Sequence, residues 1–338
     1  MDATRRSLMI GTLAAPVLAG AAQARSAFQT PPPEAGNLSL AWPTPSATID
    51  LWPKGVSGAL HSDMREHVEE TTTDQAIHFR RVQGISKPRL SVFPAQKPNG
   101  GAMLVIPGGG LYWNYFDHEG YQLADFLNRQ GLTCFVLFYR LAGDGWDRPA
   151  DVALIDAQRA MRVIRANAGS FGLDPERLGV AGFSAGGFLT STLATRHGAK
   201  FQDPVDEIDA LSARPFLAAL IYPVQSVDPA YAYDGVGSTL FGGKVTPEIV
   251  KTYSPDRNVG PDHLTRLPGP RRGRQRGAGR QQRQFPQRAA RRRHSGRNPP
   301  VRKWRPRLRH EGRAGQAVAH LAAVTRHLRE KPQVDGLT

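Results

Sequence analysis

Leu178-Gly179-Val180-Ala181-Gly182-Phe183-Ser184-Ala185-Gly186-Gly187 is a short apolar run that ends on a serine between glycines and continues in small, helix-compatible residues as far as Arg196. The run from Arg177 to Gly182 reads as a buried strand and Ala185 to Arg196 as a helix, so Ser184 falls on the turn between them. A serine hydroxyl is a weak nucleophile unless a sharp turn exposes its oxygen to a base, and flanking glycines permit the crowded backbone that such a turn needs. The start of the following helix also directs its positive dipole end and the Ala185 amide toward developing negative charge.

Upstream, Gly101 to Ile106 is a second apolar run, and Pro107-Gly108-Gly109-Gly110-Leu111-Tyr112-Trp113 ends it. Taken alone, three glycines make a flexible turn or a phosphate cradle. Paired with a nucleophile turn further along the chain, their backbone N–H groups become donors for an oxyanion, with Gly109, Gly110 and Ala185 as the candidate hole.

The rest of the chain alternates in the same way. Asp74 to Pro94 carries two alternating segments that predict antiparallel strands at the leading edge of the sheet. Helical spacing over Gly120 to Asn128 is followed by an apolar strand from Cys134 to Tyr139. Asp151 to Ala168 is again helical (Val152, Ile155, Ala160, Ile164), and Leu217 to Tyr222 is one more apolar strand. Strands alternating with helices predict a mostly parallel sheet covered on both faces, a three-layer α/β sandwich, and continuous apolar strands agree with burial on both sides. Cys134 lies within an apolar strand and reads as a packed thiol.

Pro107 to Gly110, Asp117-His118-Glu119-Gly120, Tyr139-Arg140-Leu141, Asp156-Ala157-Gln158-Arg159-Ala160, Gly182 to Gly187 and Ser254-Pro255-Asp256-Arg257 together resemble the α/β-hydrolase family. Within it they look like the secreted esterases related to acetylxylan and feruloyl esterases, the BD-FAE-like group, from about Ile49 to Asp262. The resemblance implies a Ser-Asp-His triad with Ser184 as nucleophile, no metal or other cofactor, and small-molecule or carbohydrate ester substrates. It also implies that Asp156 and Arg159 are scaffold, and that His118 and Glu119 belong to a loop flanking the oxyanion turn rather than acting as acid and base.

The family pattern breaks after Asp262. Residues 1–262 hold 23 Lys/Arg and 26 Asp/Glu, whereas residues 263–338 hold 21 and 3, so the whole formal charge of +15 comes from the last quarter. Residues 267–313 are a mixture of Arg, Gln, Gly and Pro without periodicity, unsuited to burying a core. A basic tail of this charge is one expectation, with nucleic acid or a polyanion as partner. The near-exclusive use of Arg over Lys, with only Phe285 and Trp304 as aromatics, points instead to a frameshift in GC-rich coding sequence, and no nucleic-acid partner is then expected. Shifted by one base, Leu267 to Gly279 can be read as FPVHAADDSVVPV and Phe285 to Arg309 as SLNALRAAGIPAEIHLFENGGHGFG. Those strings contain a strand, an Asp turn, a helix and a His loop. The triad Asp would then stand where Arg274 is read and the His where Pro306 is read, and neither present residue can titrate in that role. His294, His310, His320 and His327 have no supporting context, and the helical spacing of Ala317 to Arg329 carries no site.

At the other end, Thr4-Arg5-Arg6-Ser7-Leu8, the apolar stretch to Gly20 and Ala22-Gln23-Ala24 have the layout of a bacterial signal peptide of twin-arginine type, which implies export to the periplasm or beyond. The apolar run is shorter than a membrane span. The expected organisation is a signal over 1–24, a Pro-rich arm over 25–48, the α/β-hydrolase domain over 49–262 and the Arg-rich segment over 263–338. A same-fold peptidase and a noncatalytic relic that keeps the turn are the remaining readings.

Overall fold

The computed structural model describes residues 28–29, 43–56, 64–73 and 78–260. The signal-like segment, the entire Arg-rich segment, Arg274, Pro306 and the four C-terminal histidines lie outside the described residues.

Nine strands and five α-helices are the main elements among the described residues. They are β1 (Phe28–Gln29), β2 (Ala47–Asp50), β3 (His67–Glu70), β4 (Arg80–Gln83), β5 (Arg89–Phe93), β6 (Ala102–Ile106), α1 (Gln122–Asn128), β7 (Thr133–Phe138), α2 (Val152–Ala166), β8 (Leu178–Phe183), α3 (Ser184–Arg196), β9 (Ala218–Ile221), α4 (Val236–Phe241) and α5 (Pro247–Tyr253). The main sheet has the order β1-β2-β5-β7-β6-β8-β9. Its centre, β7-β6-β8-β9, is parallel, and β5, β2 and β1 extend it with antiparallel pairings.

The parallel strands are buried because helices cover both faces. Every residue of β6 and β7 is buried, which explains their unbroken apolar sequence. Crossovers between parallel strands are right-handed. The chain steps from β6 one way to β7, then back across β6 to β8 and onward to β9, so α1 lies on one face while α2 and α3 share the other. Fully burying each large aliphatic side chain of this core stabilises the fold by about 1.5–3 kcal/mol.

That reversal of direction creates a switch point between the carboxyl ends of β6 and β8, where α/β sheets open a crevice for ligands. Ile106 pairs with Gly182 at those ends, so the Pro107–Gly110 turn and Ser184 leave the sheet side by side.

Two expectations about the leading edge are corrected. Of the two segments before Pro94, only Arg89–Phe93 enters the main sheet, as its third strand rather than its edge, between β2 and β7. Arg80–Gln83 pairs with β3 in a separate two-stranded sheet, held to the body by the Val82–Asn114 bridge. The segment read as a Pro-rich arm contributes Phe28–Gln29 and the start of β2 to the main sheet. Backbone pairing accounts for this, since an edge strand offers free N–H and C=O groups whatever the composition of the arriving chain.

Buried polar pairs fasten the helices to the sheet. Arg140 and Asp156 are both fully buried and bonded through several nitrogens at 2.8–3.2 Å, and Trp52 Nε1 donates to the same carboxylate at 2.8 Å. Arg159 donates to the Leu51 carbonyl and to the carboxylates of Asp206 and Asp209. Asp156 and Arg159 are therefore scaffold, as their resemblance implies. Cys134 is fully buried and burial pushes its thiol far above the usual range. Among the described residues, no helix is long and apolar enough to cross a membrane.

Candidate active site

Ser184 opens α3 at φ +49°, in left-handed backbone that a residue with a side chain rarely adopts. The strain is held in place from both sides. Phe183 precedes it in extended conformation and offers no side-chain cap, so the start of this 13-residue helix is not closed by a capping group. Gly186 faces the end of β6 so closely that a Cβ there would stand 2.5 Å from the Pro107 carbonyl oxygen and nearer still to that of Ile106. Glycine is required for this approach, and the approach sets the hydroxyl beside the next turn.

The 107–110 turn is tied down by its carbonyls. Gly109 O accepts from Tyr112 N at 3.2 Å and Trp113 N at 3.0 Å, and Gly108 O accepts from Tyr115 N at 3.0 Å. The Tyr139 hydroxyl donates to Pro107 O at 2.9 Å from below, and burial keeps that phenol far above its ordinary pKa and so able to donate. Within the described residues the Gly108 amide is engaged by Glu119, while the Gly109 and Gly110 amides donate to no protein group.

A cavity of about 660 Å³ opens over these turns. Its walls include Ser184, Ala185, Gly109 and Gly110, which the sequence reading placed together, and also His118 and Glu119. Leu111, Phe188 and Val236 supply apolar wall, and Tyr112, Trp113, Tyr115, Tyr222 and Tyr233 supply aromatic wall. Leu111, Ser184 and Tyr222 are the non-glycine residues with positive φ among the described residues, and all three line this cavity. Strained backbone persists only where surrounding structure over-determines it, and it clusters at functional sites.

His118 and Glu119 sit on a single wide helical turn, Asp117–Tyr121, between the 107–110 turn and α1. Arg80 fixes that turn by donating its backbone N–H and two guanidinium nitrogens to Asp117 at 2.8–3.0 Å. The His118 ring packs edge-on against Phe79 and Tyr115, and burial lowers its pKa despite the opposing pull of Glu119 and Asp117. Both Glu119 oxygens are engaged: Oε2 accepts from Gly108 N at 2.7 Å and Oε1 from the Tyr222 hydroxyl at 2.6 Å. Loss of solvation, then the neighbouring Glu119, holds the Tyr222 phenol well above its usual range.

Sequence reasoning missed Tyr222, the Leu111 strain and the cover formed by α4. The Tyr112 hydroxyl lies 2.7 Å from Thr239 Oγ1, tying the glycine turn to α4, and Ala142, Val227, Val236 and Leu240 form a small apolar cluster beneath that cover. One signal for Tyr222 was available: it follows an apolar strand next to the switch point. Among the described residues, no group of His, Cys, Asp and Glu is placed to hold a metal ion.

The BD-FAE family model matches residues 92–221. An acetylxylan esterase from Xylanibacter ruminicola is 33% identical over 181 residues, 53% of this chain and 34% of the relative. Endo-1,4-beta-xylanase B from Butyrivibrio fibrisolvens is 37% identical over 158 residues, 46% of this chain and 24% of the relative. The chain thus spans about a third and about a quarter of the length of these two curated relatives. The solved acetyl ester-xyloside bifunctional hydrolase from Caldicellulosiruptor lactoaceticus superposes with a TM-score of 0.47 at 30% identity, covering 65% of this chain and 71% of that one. The matched segment spans β6 through β9, the parallel centre of the sheet, so the chain is similar to the BD-FAE family across the elements that carry Ser184 and the 107–110 turn.

Proposed function

We propose that this protein is a serine carboxylic-ester hydrolase that works through an acyl-enzyme on Ser184. The observation that carries the proposal is the strained Ser184 turn facing the same cavity as Gly109, Gly110 and Ala185, whose amides can receive an oxyanion. In the reaction, Ser184 Oγ attacks the ester carbonyl and gives its proton to a base. The carbonyl oxygen becomes an oxyanion held by those amides, and the base returns the proton to the departing alcohol. Water then repeats the sequence and releases the acid.

The relatives named acetylxylan esterase and acetyl ester-xyloside hydrolase favour an acetyl-type ester on a carbohydrate or small alcohol, and the aromatic wall suits a sugar or aryl group lying against it. The triad Asp and His are expected where Arg274 and Pro306 are read, under the frameshift reading, so this chain should hydrolyse esters slowly. Export by the N-terminal signal is part of the same proposal.

A fluorophosphonate probe tests the nucleophile. Covalent labelling that disappears in Ser184→Ala supports the proposal, and a chain expressed from the corrected frame that is left unlabelled on Ser184 refutes it. Hydrolysis of p-nitrophenyl acetate at ordinary esterase rates would refute the impairment.

A further inference from the structure

The Glu119 carboxylate joins two turns that lie far apart in sequence. Oε2 holds the Gly108 amide at 2.7 Å, and Oε1 holds the Tyr222 hydroxyl at 2.6 Å, across 103 residues. Gly108 is the member of the glycine turn in contact with the nucleophile: a Cβ placed on it would stand 3.1 Å from Ser184 Cβ and 2.9 Å from Glu119 Oε2. Tyr222 is strained at φ +36° and its ring meets Phe183, the residue before Ser184, edge-on with centroids 5.8 Å apart. Val224 N, two residues further, reaches Ser184 O at 3.4 Å. Glu119 itself is almost wholly buried, and its turn is locked from behind by Arg80 and Asp117. The carboxylate therefore connects a rigid element to both sides of the serine while leaving the Gly109 and Gly110 amides free of protein partners among the described residues.

We propose that Glu119 is a positioning residue that holds the Pro107–Gly110 turn in place against Ser184 through the Gly108 amide and braces that hold on the Tyr222 hydroxyl. The inference rests on Ser184 being the nucleophile. Glu119 acts by geometry and not by proton transfer, because both of its oxygens are already bonded away from the reacting atoms. Glutamine can replace it: the amide oxygen can accept from Gly108 and the amide nitrogen can donate to the Tyr222 oxygen. Aspartate cannot, since it keeps the charge but loses one methylene of reach.

The test uses the full chain in four forms: wild type, Glu119→Gln, Glu119→Asp and Glu119→Ala. The rate of fluorophosphonate labelling and backbone hydrogen exchange over residues 107–110, β6 and β8 are measured together. Glu119→Ala should label about 10- to 100-fold more slowly, the scale expected for displaced groups at a reacting centre. Exchange should quicken over 107–110 with β6 and β8 still protected. Glu119→Gln should stay within about threefold of wild type and Glu119→Asp should resemble Glu119→Ala. Rescue by Asp but not Gln would make charge the essential property and overturn the proposal. So would a Glu119→Ala protein labelled at the wild-type rate, or slow labelling accompanied by loss of protection across the whole sheet. Should Glu119→Ala fail to fold, the Gln and Asp variants decide alone. Should the wild-type chain label too slowly to measure, hydrogen exchange over 107–110 decides between the variants, and a chain expressed from the corrected frame that never labels would bring down the nucleophile reading and this inference with it.

Discussion

Gly108 and Ser184 are so close that a methyl group on the glycine would stand 3.1 Å from the serine Cβ and 2.5 Å from the Phe183 carbonyl oxygen. The Phe183 oxygen belongs to the backbone and cannot swing aside, so Gly108→Ala must push the two turns apart. Overpacking of this kind destabilises by about 1–3 kcal/mol. The expected outcome is a folded protein with a lowered urea midpoint whose Ser184 reacts about 100-fold more slowly with a fluorophosphonate. Labelling at the wild-type rate would show that the turn is not seated where the hydroxyl acts.

The Ser184 backbone at φ +49° costs a residue with a Cβ stability that glycine would not lose. Ser184→Gly and Ser184→Ala should both abolish labelling, yet the glycine variant should be the more stable by about 1 kcal/mol. Urea unfolding of the two variants measures the difference. Equal midpoints would remove strain at this turn from the account.

Arg140 and Asp156 form a pair with no solvent exposure on either side chain. Removing one partner leaves a buried charge without its counterpart, which typically destabilises by about 3–5 kcal/mol. Asp156→Ala should therefore unfold at much lower urea than wild type, and Asp156→Asn should fall between them because it keeps a hydrogen-bond acceptor for the Arg140 amide. A small effect in the alanine variant would mean that water reaches the pair.

Burial lowers the His118 pKa below its ordinary value of 6.5. Between the lowered folded value and the ordinary unfolded one, the unfolded chain binds more protons, so stability rises with pH through that window and is lost on acidification below about 6.5. His118→Phe should flatten this part of the pH dependence while keeping a ring against Phe79 and Tyr115. Parallel urea midpoints for the two proteins between about pH 7 and pH 5 would contradict it.

Sequencing the coding DNA across codons 258 to 338 should reveal a single-base displacement. A chain expressed from the corrected frame should place Asp and His where Arg274 and Pro306 are now read and should gain several orders of magnitude in p-nitrophenyl acetate hydrolysis, the scale lost when a triad member is removed. An intact frame, or a corrected chain with no gain, would end the frameshift reading.

The order of residues by itself determined the elements at the centre of the molecule. Ala102–Ile106, Thr133–Phe138 and Leu178–Phe183 are continuous apolar runs because both of their faces are covered, and α2 and α3 carry helical spacing or small residues because each packs on one side. The same local signals put Ser184 on a turn and marked 107–110 as a second turn able to expose amides. Tertiary structure alone decided the rest. Strand order separated Arg80–Gln83 from the sheet and placed Arg89–Phe93 inside it, since backbone pairing partners are chosen by what else competes for an edge. The short helices α4 and α5 become a cover only by packing against distant residues such as Tyr112 and Asp151. Glu119 acquires its partners in the same way: nothing local to its sequence indicates that its carboxylate will meet Tyr222, because hydrogen bonds across 103 residues exist only once the sheet has brought their ends together.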